Sequence, residues 1–197
     1  MRFRILNKNP LYDYREACKI TQGIDLWQDL DIDKIFVPKD EVEFWIKQIT
    51  ANHSTIRSVR FRLIASAPKS VVMQIIRATK GHPQPFVQSS RPDWCGKERS
   101  ADPYEEKLFI MDFTAESFGE MCKQRLCSRT EKRTCDFVWD LKDALEKSDE
   151  PFLKAVGYCS KPACWWFNGK CPEIKSCHEG ARKLSDIIIE QYREELK

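Results

Sequence analysis

Phe86-Val87-Gln88-Ser89-Ser90-Arg91 and, further along, Gln124-Arg125-Leu126-Cys127-Ser128-Arg129 are the stretches from which the rest of this chain is best read. The first brings an amide, two hydroxyls and a guanidinium together at Gln88, Ser89, Ser90 and Arg91. Hydroxyls, backbone amides and a forked guanidinium suit a phosphate, because arginine offers bidentate charged donors. Taken alone, Ser89-Ser90-Arg91-Pro92 is also an ordinary turn. The second stretch sets Arg125 and Arg129 four apart, so on a continuous helix they share a face. Like charges so placed repel unless an anion or a carboxylate lies between them. Lys123, Lys132 and Arg133 nearby keep a solvated basic face open as the plain alternative.

Working outward, Val59, Phe61 and Leu63 alternate with Ser58, Arg60 and Arg62, which predicts a strand over 57–65 with one apolar and one basic face. Pro68 suits the first turn of a helix that runs through the buried-looking Val71-Val72-Met73-Gln74-Ile75-Ile76-Arg77. Gly81, Pro83 and Pro85 stop it before Phe86, and a polar, turn-rich stretch from Pro92 leads to a short buried strand, Leu108 to Phe113. Phe118, Met121, Cys122, Arg125 and Arg129 predict one helix face, and Phe137, Leu141 and Leu145 a second helix reaching Lys147. Toward the N-terminus, Arg2 to Leu6 reads as a strand and Asp40 to Thr50 as an amphipathic helix; the remainder of 1–40 alternates only weakly. Residues 158–178 are cysteine-rich and irregular, and a last helix over 181–196 carries Leu184, Ile187, Ile188 and Tyr192 on one stripe. With no repeat and no linker, the expectation is one domain over 1–197: α+β, a small mixed or antiparallel sheet flanked by helices.

A chain of 197 residues suits one sizeable core. Its 33 basic and 30 acidic side chains nearly balance, which argues against a nucleic-acid polymer as partner and still permits a basic pocket. No apolar run approaches the roughly 20 residues that cross a bilayer. The start, Met1-Arg2-Phe3-Arg4, is too charged for a signal peptide, so a cytoplasmic protein is expected. Nine cysteines, an odd count, then read as buried thiols, metal ligands or catalytic groups rather than disulfides. Cys159, Cys164, Cys171 and Cys177, with His178 adjacent, could place a tetrahedral zinc; their spacing is not a C-x-x-C knuckle, and thiols packed around Trp165, Trp166 and Phe167 are the alternative. Three consecutive aromatics cannot all face one core, so part of that run is expected at a subunit contact.

Gln88-Ser89-Ser90-Arg91, Arg125-Leu126-Cys127-Ser128-Arg129 and the tail Cys171-Pro172-Glu173-Ile174-Lys175-Ser176-Cys177 together resemble the flavin-dependent thymidylate synthases (ThyX), over roughly residues 55–180. The resemblance implies the ThyX-like fold, a homotetramer with sites between subunits, FAD as cofactor and a reduced folate as one-carbon donor. It assigns Arg77, His82 and Arg125 to the flavin. Gln88, Ser89, Ser90, Arg91 and Arg129 fall to the phosphate or sugar of a pyrimidine nucleotide or nucleoside.

The chain departs from the family pattern in three places. The Arg-His-Arg flavin signature becomes Arg77-Ala78-Thr79, with His82 the nearest imidazole; Asn-Ala-Arg becomes Thr114-Ala115-Glu116; and the arginine that polarises the uracil falls at Cys135, or at Arg133 after a slip. Cys135 then reads either as a new nucleophile, its thiol acidified by nearby arginines, or as a small buried residue. The candidate catalytic residues are accordingly Arg129, Arg133 and Cys135. The expected activity is that of a divergent flavin-dependent transferase, poor at making thymidylate itself, of the kind a base-modifying bacteriophage would carry into its host's cytoplasm. Its rival is a non-catalytic ThyX-like nucleotide-binding or interaction protein, and a zinc-stabilised binding protein rests on the cysteines alone.

Overall fold

In the computed structural model the described residues are 1–7, 9–21, 41–78, 85–89, 91, 93, 101–177 and 189. The expected C-terminal helix over 181–196 therefore lies almost wholly outside them, as do His82, Ser90 and His178. The elements run β1 (Arg2–Leu6), α1 (Pro10–Thr21), α2 (Glu41–Ala51), a 3-10 turn (Ser54–Ser58), β2 (Phe61–Pro68), α3 (Lys69–Ala78), β3 (Phe86–Val87) and β4 (Glu106–Phe113). Then come α4 (Ala115–Arg125), α5 (Lys132–Glu146), α6 (Pro151–Cys159) and α7 (Ala163–Trp166). The fold is α+β, and its sheet, in the order β1-β2-β4-β3, is antiparallel throughout.

The pleat explains the sheet. Phe61, Leu63, Ala65 and Ala67 of β2 and Phe109, Met111 and Phe113 of β4 point inward and are buried. Lys107 shares that inward face at 5% exposure, and its Nζ donates to Glu105 Oε1 at 2.8 Å. On the outward face Arg62 forks onto Asp112 at 2.6 and 2.7 Å. Strand β2 starts four residues later than the periodicity predicts, because Ser54–Ser58 coils first. Pro68 ends the strand opposite Glu106 rather than opening the helix, a strand-end position that its missing N–H tolerates.

Helices α4 and α5 appear where the apolar spacing puts them. Thr114 and Ser117 exchange side-chain and backbone hydrogen bonds in a capping box, at 3.2 and 2.7 Å, which starts α4. The carboxylates of Glu131 and Glu150 accept from the first N–H groups of α5 and α6. Helix α1 is the element that weak alternation hid. None of its side chains is fully buried, and it docks through Tyr14, which meets Phe44 and Trp45 edge-on at 5.6 and 5.4 Å.

The aromatic core runs from Phe61, stacked on Phe113 at 5.7 Å, through Phe118 to Phe152 and Trp45. Where α6 meets the end of α5, a Cβ on Gly157 would stand 2.6 Å from the Glu146 backbone nitrogen. Gly157→Ala is therefore expected to destabilise by about 1–3 kcal/mol through overpacking; a denaturant midpoint equal to wild type would mean this crossing shifts freely. Among the described residues no helix is long and apolar enough to cross a membrane.

Candidate functional site

A polar cleft of about 350 Å³ opens at the C-terminal ends of α3 and α4, lined by Gln74, Gln124, Arg125, Cys127, Arg129, Thr130, Glu131 and Glu173. Local chemistry builds it. Helix α4 ends at Arg125, and Leu126, buried as its C-cap, donates its N–H to the Cys122 carbonyl at 3.0 Å. Thr130 Oγ1 then donates to the Gln124 carbonyl at 2.7 Å, satisfying one of the acceptors a helix end leaves open, and the chain turns back toward α5. From the other side, Arg129 Nη2 donates to the Ser176 carbonyl at 2.6 Å, which seats the tail on this turn.

Two cations, Arg125 and Arg129, share the lining with two carboxylates, Glu131 and Glu173. Arg125 is half-buried, and its Nε donates to the Gln74 carbonyl at 3.0 Å. Burial first, and then the positive charge of Arg77 on the neighbouring α3, pull its guanidinium below the ordinary arginine range. Among the described residues neither Arg77 nor Arg125 has a carboxylate within ion-pair distance, whereas Arg57 pairs with Glu116, Arg62 with Asp112 and Arg91 with Asp93. Arg77 itself is exposed and is not among the residues lining the cleft, so the charge an anion would relieve there is that of the half-buried Arg125. The Cys127 thiol is pushed up by burial, opposed by a hydrogen bond from the Arg129 backbone, with Cys177, Glu173 and Cys171 adding smaller contributions.

The structure places the remaining expected residues as follows. Arg125 and Arg129 do line one cleft, but not as a helical pair: α4 stops at Arg125, and the turn, not the helix, carries Arg129. Gln88 extends the sheet, its N–H donating to the Leu108 carbonyl at 2.7 Å and its Oε1 accepting from Leu108 N at 3.2 Å. Ser89 Oγ accepts from Arg91 N at 3.1 Å, and the Arg91 fork lies on Asp93 at 3.1 and 2.5 Å. None of Gln88, Ser89 and Arg91 lines the cleft.

Arg133 stacks over the Tyr104 ring at 4.0 Å. Cys135, expected to be acidified, is the opposite: burial, followed by the Asp136 carboxylate, pushes its thiol up. Glu116 begins α4, at the far end from Arg125, and pairs with Arg57 at 2.7 Å.

The cysteine quartet gains no support as a zinc site. Among the described residues no group of three or more His, Cys, Asp or Glu is placed to hold a metal. Cys159 closes α6 with its thiol pushed up by burial, while Cys171 and Cys177 lie by Cys127. The expected aromatic exposure is present, since Trp165, Trp166 and Phe167 all reach solvent, with Lys161 and Lys123 over the two indoles at 5.8 and 5.4 Å. Gln74, Gln124 and Thr130 went unnoticed in the sequence. Uncharged and spread over two helices and a turn, they carry no local signature.

No family model matches the sequence, and no curated protein does. Among solved structures the chain is similar to thymidylate synthase X (ThyX) from Helicobacter pylori, a structure with FAD and dUMP. The TM-score is 0.57 at 11% identity, covering 82% of this chain and all of that one. At that identity the likeness is one of architecture: the four-stranded antiparallel sheet and its helices have the ThyX fold.

Proposed function

We propose that this protein is a flavin-dependent transferase that adds a one-carbon unit to, or otherwise modifies, a pyrimidine nucleotide or nucleoside. The observation that carries the reading is Arg125, half-buried in the cleft with Arg77 on the neighbouring helix, neither having a carboxylate within ion-pair distance among the described residues. Such a pair suits the diphosphate of FAD, two forked donors matching two negative charges. The solved ThyX of the same fold holds FAD and dUMP. In this chain Arg77 and Arg125 would hold the cofactor, and Arg129 and Thr130 the phosphate of the substrate. Ser89, Ser90 and Arg91 are assigned to the substrate's phosphate or sugar, Arg91 exchanging Asp93 for it. Bound flavin supplies hydride chemistry, and a reduced folate is the proposed carbon donor.

The purified full chain is expected to take up FAD, read as flavin absorbance near about 450 nm, a property of the cofactor. Turnover of deoxyuridylate with methylene-tetrahydrofolate and a reductant is expected to be slow. Failure to bind either FAD or a pyrimidine nucleotide would sink the proposal. A second reading, a non-catalytic nucleotide-binding or interaction protein, draws on the Arg91–Asp93 pair and on the raised Cys135 thiol, neither of which offers a reacting group. Nucleotide binding without flavin would select it.

Assembly into a homo-oligomer, a tetramer by the resemblance, belongs to the same proposal. The outward sheet face supports it. Ile64, Ile110 and Phe86 align across β2, β4 and β3, Leu108 sits beside them, and Phe86 is 74% exposed. Arg2 and Arg4 flank this row on β1 and Glu106 on β4, a charge layout that complements itself across a two-fold axis. Light scattering is expected to give a multiple of the 23.2 kDa chain mass that falls in Ile110→Glu. A monomeric wild type would remove this part.

A further inference from the structure

Cys127 lines the cleft, the tail that Arg129 holds there carries Cys171 and Cys177, and nothing in the proposed function uses these thiols. Arg129 binds the Ser176 carbonyl at 2.6 Å; Cys127 lies two residues before Arg129 and Cys177 directly after Ser176, so the two cysteines flank one contact. Cys127 and Glu173 line the same cleft. Cys127 and Cys177 are both partly open to solvent, whereas Cys171 is buried, so an oxidant arriving from solvent meets the first two.

We propose that Cys127 and Cys177 form a redox-modification site, a dithiol that a small disulfide such as oxidised glutathione converts to an intramolecular disulfide, fixing residues 171–177 across the Arg125–Arg129 cleft and closing it to anions. The closure rests on the reading of that cleft as an anion site; the disulfide does not. The exchange balances. The Cys177 thiolate attacks one glutathione sulfur and releases one glutathione thiolate. Cys127, after giving its proton to solvent, attacks the mixed disulfide at Cys177 Sγ and releases the second. Two protein thiols are oxidised, and one glutathione disulfide is reduced to two thiols.

The test uses the full chain, reduced and then treated with oxidised glutathione, followed by alkylation and peptide mass mapping. A Cys127–Cys177 linked peptide that reductant abolishes is expected, with inorganic pyrophosphate bound at least tenfold more weakly after oxidation. In Cys177→Ser the same oxidant should leave pyrophosphate affinity unchanged. Alkylation of Cys127 and Cys177 as separate thiols, linkage of either to another residue, or a mapped disulfide with unaltered pyrophosphate affinity would each overturn the proposal. If the reduced protein binds no pyrophosphate, the anion-site reading and the closure fail together, while the wild-type peptide map still decides the disulfide.

Discussion

Trp45→Ala is expected to cost about 3–5 kcal/mol, a large share of the 5–15 kcal/mol that holds a domain of ordinary stability together. Trp45 is wholly buried, and its ring meets Tyr14, Phe44 and Phe152 at 5.4, 5.1 and 5.2 Å, so it joins α1, α2 and α6. Truncation leaves a cavity between elements that cannot all move inward, and α1, which buries no residue fully, keeps Leu11, the Tyr14–Gln48 hydrogen bond and the Ser58 bond to the Asp13 carbonyl as its other ties. The indole Nε1–H finds no acceptor. Trp45→Phe should accordingly cost less than about 1.5 kcal/mol, since removing an unsatisfied donor offsets part of the lost packing. Urea unfolding of the two variants decides. Equal losses for Phe and Ala would mean that the N–H is satisfied after all.

Arg125→Met is expected to separate binding from stability. The variant should bind FAD or pyrophosphate about 10- to 150-fold more weakly, the loss of one charge-assisted contact worth about 1.5–3 kcal/mol. Its fold should be at least as stable as wild type. The folded state holds the Arg125 guanidinium below its ordinary range, through burial and then through Arg77, so the charged form is penalised on folding at neutral pH, and that penalty leaves with the charge. The Arg125–Gln74 hydrogen bond is also lost, and part of the gain is offset there. Ligand titration and melting curves on the same samples give the split. A variant that binds normally, or that loses binding only because it unfolds, would remove the pair from the site.

Much of this architecture is legible in the residues, and the reasons are local. Phe61, Leu63 and Ala65 alternate because one face of β2 is buried and the other is not, and period two survives any context. Phe118, Met121 and Cys122 repeat at helical spacing for the same reason in α4. What stayed hidden was decided by partners distant in sequence. The end of α4 depends on Thr130 reaching back to Gln124, so a pattern that continues to Arg129 overruns the helix. Glu116 gives no hint in the sequence that it pairs with Arg57, on a separate 3-10 turn. Four cysteines close in sequence suggest one zinc, yet the chain sends Cys159 into a helix end and the later pair to Cys127. The resemblance motifs located the cleft through Arg125 and Arg129, while its glutamines came only with the packing of α3 on α4.

The position of β1 has a kinetic consequence. Its register joins Arg2–Leu6 to Arg62–Ser66, so it must wait for α1, α2 and everything between them before it can pair. Contacts that close late across a long span pay loop entropy before they return any stability, and they set the pace of folding. During synthesis β1 stays unpaired at least until residues 62–66 have been made. Until it pairs, the Arg62–Ser66 edge of β2 presents unpaired backbone groups, the state in which neighbouring nascent chains are most apt to pair with one another.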